Sequence, residues 1–268
     1  MNIHKTIKKI VAFQVLLAVC LFLLQEDITV AKDSFIADYI QTIYDSKSGI
    51  ASNEVNCLYQ SSSGYIWVGT DGGLYRSNGF EFSSVNLWDM DRTDVYSVNC
   101  ITQDTKGRVW VGTDNYGLFY IEHGETHHFQ TEYYDGIKTI YRVCENENGN
   151  LYVATSRGLY MCVGTPDGEM MLFPVENESD SGKYTDMVTF GNEIWAINND
   201  GIFVIDEEGN HSAVDIGEFS FDEFTCISVV GNYIYVGTSG SDILVFRSKS
   251  GFEVVNIGID GINKIMQD

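Results

Sequence analysis

VWVGT at Val109–Thr113 has four counterparts in the same chain: IWVGT at Ile66–Thr70, LYVATS at Leu151–Ser156, IWAIN at Ile194–Asn198 and IYVGT at Ile234–Thr238. Their aromatic positions are Trp67, Trp110, Tyr152, Trp195 and Tyr235, spaced by 43, 42, 43 and 40 residues. Five copies at one period identify a repeat architecture, and the period falls in the range of propeller blades.

Each phrase sits in the same surroundings. About twelve residues before the aromatic lies an alternating stretch: VNCLYQ from Val55, VNCITQ from Val98, IYRVCE from Ile140, YTDMVTF from Tyr184 and FTCISVV from Phe224. A Gly-containing turn follows, SSSG before Tyr65 or DTKG before Arg108, then the aromatic strand. Such turns need the positive φ that Gly supplies, with Asn and Asp next best. A second turn leads to a third strand (LYRS, LFYI, LYMC, IFVI, ILVF) and then to a more polar fourth (FEFSSV, THHFQT, MLFPV, HSAVDI, FEVVNI). Four antiparallel strands in about 42 residues are one propeller blade. A sandwich or barrel has no reason to repeat its aromatic every fourth strand, and a parallel solenoid needs shorter repeats. The expected fold is therefore an all-β propeller of four-stranded antiparallel blades, near 51–88, 94–132, 137–177, 183–217 and 221–257.

Both flanks carry partial units. Residues 38–46 read as an orphan outer strand leading toward the first blade, and 261–268 (GINKIMQD) match the start of a sixth repeat. Five complete blades with a partial strand at each end predict an incomplete ring with exposed edges, and hence a part of a longer protein.

The N-terminus differs in kind. His4, Lys5, Lys8 and Lys9 precede an apolar run from Ile10 to Leu24 broken only by Gln14, which suits a signal-peptide core and is short for a spanning helix. Residues 1–32 are expected to be a signal peptide, with Thr29-Val30-Ala31 near its cleavage point, or else an uncleaved membrane anchor. LAVC ending at Cys20 resembles a lipoprotein site only weakly, because Val19 stands where Gly or Ala is usual. The remainder is expected on the periplasmic or extracellular side of the cytoplasmic membrane. The net charge of −22 argues against nucleic acid, whose phosphates require clustered Lys and Arg, and against docking on an anionic lipid surface. With 26 Gly, 2 Pro and 44% hydrophobic residues, the chain suits many short strands around a sizeable core.

NEVNCLYQSSSGYIWVGTDGGLYR and YSVNCITQDTKGRVWVGTDNYGLFY resemble two-component regulator propeller repeats. The second copy fits nearly throughout: Val98, Ile101, Asp104, Gly107, Val109–Thr113, Gly117 and Leu118. The first has Ser61 where Asp is usual, and the fourth has Ala196-Ile197-Asn198 in place of Val-Gly-Thr. The resemblance runs from about Asp38 to the C-terminus. It implies the extracytoplasmic sensor region of a bacterial membrane-bound signalling protein, followed by a histidine kinase or diguanylate cyclase absent from this sequence. The partners expected are the missing blades that the repeat count calls for, the downstream signalling domain, a small-molecule or glycan ligand and a second copy of the full-length protein. A secreted scaffold or protein- or glycan-interaction propeller without a signalling output is the alternative, and a propeller glycosidase is the third and least favoured reading.

The chain offers little chemistry of its own, and no catalytic, cofactor or metal residues are expected. Cys57, Cys100 and Cys226 share one repeat position, where Cys packs as a small hydrophobe; a disulfide is the other reading for an exported chain. There is no Cys-x-x-Cys. His123, His127 and His128 fall on or near the outer strand of the second blade, where a solvated rim is expected. Asp89–Asp94 and Glu145–Asn150 look like calcium loops, but the second lacks the closing bidentate carboxylate and reads as a turn. TQDTKGRVW places Asp104 three residues before Gly107, one too many for a sialidase Asp-box. The six arginines (Arg76, Arg92, Arg108, Arg142, Arg157 and Arg247) form no visible cluster. Any ligand is expected in loops at one end of the central channel. Trp88 and Tyr116 are candidates for stacking on sugars or for packing between blades.

Overall fold

A computed structural model describes residues 42–44, 46–88, 96–129, 137–164, 170–175, 182–217, 223–249 and 251–266. The N-terminal segment with Cys20, the stretch Asp89–Asp94 and Arg92 lie outside them. The contacts divide the chain into two units, Met1–Ile43 and Tyr44–Asp268.

The second unit contains five four-stranded antiparallel sheets, each with its strands paired in sequence order. The first comprises β1 (Val55–Gln60), β2 (Ile66–Thr70), β3 (Gly73–Ser77) and β4 (Phe82–Val85). The second comprises β5 (Val98–Gln103), β6 (Val109–Thr113), β7 (Leu118–Glu122) and β8 (Glu125–Phe129). The third runs β9 (Ile140–Glu145), β10 (Leu151–Thr155), β11 (Gly158–Gly164) and β12 (Met170–Pro174). In the fourth are β13 (Tyr184–Phe190), β14 (Glu193–Asn198), β15 (Gly201–Ile205) and β16 (His211–Ala213). The fifth holds β17 (Phe224–Val230), β18 (Tyr233–Thr238), β19 (Asp242–Ser248) and β20 (Gly251–Asn256). First strands of successive blades pack on one another, β1 on β5, β5 on β9, β9 on β13 and β13 on β17. They are the inner strands of a propeller.

The repeated phrase is a packing device. Its second strand is buried on both faces, with Trp110, Val111, Val153, Trp195 and Ile197 fully enclosed between sheets. Blades stack face to face, so these strands are apolar throughout and do not alternate. Its Thr caps the next turn: Thr70, Thr113 and Thr155 Oγ1 donate to the carbonyls of Gly73, Gly117 and Gly158 at 3.0, 2.7 and 2.9 Å. In the fourth blade Asn198 takes the same place, its Oδ1 accepting from the Asp200 and Gly201 amides.

Asp104 is the lock of the first turn. Its Oδ1 accepts from the amides of Lys106 and Arg108, and its Oδ2 from Arg108 Nε at 2.6 Å and Trp110 Nε1 at 2.8 Å. Gly107 closes that turn at φ 85°, which residues with a side chain rarely adopt. In blades four and five the five-residue loop shrinks to the two-residue turns Gly191–Asn192 and Gly231–Asn232, so the Asp position disappears. Trp195 then turns its Nε1 to Glu193 Oε2 at 3.0 Å.

At the two flanks the structure differs from regular strands. Ser46–Ser48 is a single 3-10 turn and residues 42–44 have no regular structure; the rest of 38–46 lies outside the described residues. Residues 261–266 form no ladder, because no further strand stands beside them among the described residues. Ile262 is nevertheless buried, its amide donating to Thr238 O, in the place that Val98 and Ile140 occupy over the blades before them. At the opposite face Val55 is 51% and Leu58 63% exposed, whereas their counterparts Val98 and Ile101 are buried. Nothing among the described residues covers the first blade as each later blade is covered by its predecessor.

Candidate functional site

The inner strands share one irregularity. In all five blades the pairing of the first strand with the second slips within the first strand's opening three residues, leaving Asn56, Asn99, Tyr141, Thr185 and Thr225 unpaired as bulges. Bulges re-aim side chains, and here two of them reach the next blade and a third reaches the 261–266 segment. Asn56 Nδ2 donates to Val98 O at 3.2 Å, Asn99 Nδ2 to Ile140 O at 3.1 Å, and Thr225 Oγ1 to Ile262 O.

Directly after each bulge comes the column that holds the site. Its occupants are Cys57, Cys100, Arg142, Asp186 and Cys226, paired across the sheet with Gly69, Gly112, Ala154, Ile197 and Gly237. Where the occupant is Cys, the partner must be Gly. A methyl on Gly112 would lie 2.5 Å from Cys100 Sγ and 2.7 Å from Ile140 Cγ2, and Gly69 and Gly237 are equally crowded. Cys57, Cys100 and Cys226 are thus core packing, as their shared repeat position suggests.

Blades three and four break the rule together. Arg142 Nε lies 2.6 Å from Asp186 Oδ1, with the arginine side chain 33% and the aspartate side chain 12% exposed. The same Oδ1 accepts from the Met187 amide at 2.9 Å, and Oδ2 from the Ile227 amide of the fifth blade at 3.1 Å. Asp186 therefore ties three blades. Burial works against the charge on Arg142, but the adjacent carboxylate outweighs it and holds the guanidinium above its ordinary pKa. Arg142 Nη1 and Nη2 have no hydrogen-bond partner among the described residues.

The thiols along the inner strands are buried and lie within the field of Arg142. Burial pushes Cys57 up to about 11 and Cys100 and Cys144 up to about 12, and it raises Cys226. In all four, from four different strands, the positive charge of Arg142 opposes that rise. Lys264, at the matching position of the 261–266 segment, acts on Cys57 in the same sense. The thiols are neutral near pH 7, which suits neither nucleophilic attack nor metal ligation. The five described cysteines are free, and no group of three His, Cys, Asp or Glu among the described residues could hold a metal.

Other residues singled out in the sequence have different places. His123 (φ 51°) is in the turn joining β7 to β8. His127 stacks on Tyr120 at 4.7 Å, and His128 stacks on Phe119 at 4.4 Å with Nε2 2.9 Å from Tyr116 O. At His127 and His128 the expected solvated rim is half-buried packing, because these side chains lie flat on aromatic neighbours, whereas His123 is exposed as expected. Trp88 joins the cluster edge-on to Tyr116, Phe119 and His128. Glu145 clamps the preceding blade, its carboxylate accepting from Thr105 N and Oγ1 at 2.6 and 2.8 Å, while Asn146 closes the turn. An open cleft of about 430 Å³ beside Arg108, Glu145, Met170 and Glu207 mixes both charge signs without converging them. Sequence reasoning gave no role to Arg142, Asp186 or Lys264. The signal available was the aligned column Cys, Cys, Arg, Asp, Cys, Lys, with opposite charges where small apolar residues recur.

Comparison with known proteins agrees with the geometry. Residues 49–72 and 94–115 match the model of the two component regulator propeller family. No curated protein matches the chain by sequence. Among solved structures, the extracellular domain of one hybrid two component system from B. thetaiotaomicron superposes with TM-score 0.61 at 18% identity, covering 80% of this chain and 31% of that one. A second such domain from that organism gives 0.57 at 13%, covering 85% and 39%. The chain therefore spans between three and four tenths of those domains. Virginiamycin B lyase from Staphylococcus aureus gives 0.59 at 17%, covering 77% and 71%. At these identities the likeness is one of fold, shared by enzymes and sensor regions alike. The chain is a β-propeller whose residues 49–72 and 94–115, in its first two blades, are similar to two-component regulator propeller repeats.

Proposed function

We propose that this chain is the extracytoplasmic, ligand-sensing propeller region of a membrane-bound bacterial signalling protein and is not itself catalytic. The observation that carries the reading is the family match at 49–72 and 94–115, on a fold shared with extracellular domains of hybrid two component systems. The basic patch and apolar run of residues 4–24 support export. Further blades from the same protein are the natural cover for Val55 and Leu58 on the first blade, and they join the downstream signalling domain as proposed partners.

Two measurements test this reading. Alkaline phosphatase fused after Asp268 should be active in a bacterial host, since the enzyme folds only outside the cytoplasm; an inactive but expressed fusion would sink the export step. The gene read beyond Asp268 should encode a hydrophobic span followed by a kinase or cyclase. A secreted protein that ends in propeller blades would instead be the scaffold.

A further inference from the structure

The cleft beside Arg108 draws its two signs of charge from different blades. Its volume of about 430 Å³ falls in the range of small-ligand sites. Lys106 and Arg108 come from the loop joining β5 to β6, and Glu207 and Glu208 from the turn joining β15 to β16. Blade three, between those two in the ring, contributes Tyr152, Met161 and Met170 to the lining. The opposite charges do not meet: among the described residues no ion pair joins blade two to blade four. Lys106 Nζ, Arg108 Nη2 and the carboxylates of Glu207 and Glu208 have no hydrogen-bond partner among the described residues. Glu145, the remaining charged residue of the lining, is already engaged by Thr105 N and Oγ1.

We propose that this cleft binds a basic amino acid, its carboxylate held by Lys106 and Arg108 Nη2 and its two cationic groups by Glu207 and Glu208. This rests on the sensing role above and names its ligand class. The lining carries Lys106 and Arg108 against Glu145, Glu207 and Glu208, an excess of one negative charge. Asp104, bonded to Arg108 Nε, deepens that excess. One carboxylate with two cations is the complement of such a lining. A simple zwitterion leaves a glutamate unmatched, and a diamine leaves the cations of blade two unmatched. Arg108 is fixed in advance by Asp104 at Nε and by Met170 Sδ, 3.2 Å from Nη1, so its remaining amino group is presented at little cost in side-chain entropy. The ligand's aliphatic stem has an apolar surface to lie on in Met161 and Met170, whose unbranched side chains adapt to their contacts.

Calorimetric titration of the full chain with lysine, arginine, norleucine and cadaverine tests this, because norleucine lacks the second cation and cadaverine lacks the carboxylate. Saturable binding of lysine or arginine is expected, about fivefold or more tighter than either analogue. Lys106→Gln should weaken the basic amino acid about fivefold and leave cadaverine unchanged. Glu207→Gln with Glu208→Gln should weaken the basic amino acid and cadaverine alike, by about tenfold. Lys106, Glu207 and Glu208 are exposed turn residues, so these variants keep the fold and an unchanged circular dichroism. No saturable binding of lysine or arginine overturns the proposal. So does an affinity that the variants leave intact, or an analogue that binds as tightly as the basic amino acid. A negative result removes the amino acid and leaves export and signalling to their own measurements.

Discussion

Trp110 Nε1 donates to Asp104 Oδ2 at 2.8 Å, and in the first blade the corresponding Trp67 Nε1 has no partner because Ser61 stands where Asp104 would. Both indoles are buried, so one blade satisfies a donor that the other leaves unpaired. An unsatisfied buried donor costs about 1–3 kcal/mol. Ser61→Asp should therefore stabilise the chain by about 1 kcal/mol, seen as a higher urea midpoint with unchanged slope. Asp104→Ser, the reciprocal change, should lower the midpoint by more, since it also releases Arg108. Equal and opposite shifts would mean that the Arg108 pair adds nothing, and no rise in Ser61→Asp would mean that the indole bond is not what matters.

Gly112 shows how tightly blades approach. Ala there would set a methyl 2.5 Å from Cys100 Sγ and 2.7 Å from Ile140 Cγ2, on two different blades. The expected loss is about 1–3 kcal/mol, typical of overpacking in a filled core. Removing the sulfur in Cys100→Ala/Gly112→Ala should recover part of it. The part that remains measures the contact with Ile140.

The thiols set an alkaline limit. Cys57 and Cys100 sit at about 11 and about 12 in the folded chain against an ordinary 9.0, burial being the main cause. Unfolded, they lose protons from about pH 9 upward while the folded forms keep theirs, so stability falls as pH rises across about 9 to 12 and is fully present below. In Cys100→Ala the melting temperature should decline less steeply between pH 9 and pH 11 than in the unaltered chain. Parallel declines would show that this thiol does not govern the alkaline limit.

Leu58 tests the exposed first blade. Its counterpart Ile227 is 2% exposed, while Leu58 itself is 63% exposed. Leu58→Ala should cost at most about 0.5 kcal/mol, and Ile227→Ala about 2–5 kcal/mol. Both can be read from urea unfolding of this chain. In a longer protein whose next blade covers β1, the Leu58 value should rise toward that of Ile227.

The order of strands, the turns and the blade period were legible in the sequence because they depend on neighbours within a few residues. Alternation places a strand, Gly107 places a turn, and Trp67 to Tyr235 mark the repeat. Even the packing role of Cys57, Cys100 and Cys226 followed from their common position. The histidine cluster did not follow. His127 and His128 lie on a polar strand by pattern, and only the rings of Tyr120 and Phe119 beneath them decide that they are half-buried. The shortened turns of blades four and five likewise explain why the family's pattern fades there: the Asp position is lost, and Glu193 serves Trp195 in its place.

The sequence alone therefore determined an all-β propeller of four-stranded blades, because hairpins repeat a local grammar that each unit obeys by itself. Only the tertiary structure decided that Arg142 and Asp186, 44 residues apart, meet at the centre. Stacking the inner strands of successive blades brings one repeat position of blade three beside the same position of blade four. A pair of charges that looks incidental in sequence then becomes the anchored cation of the fold.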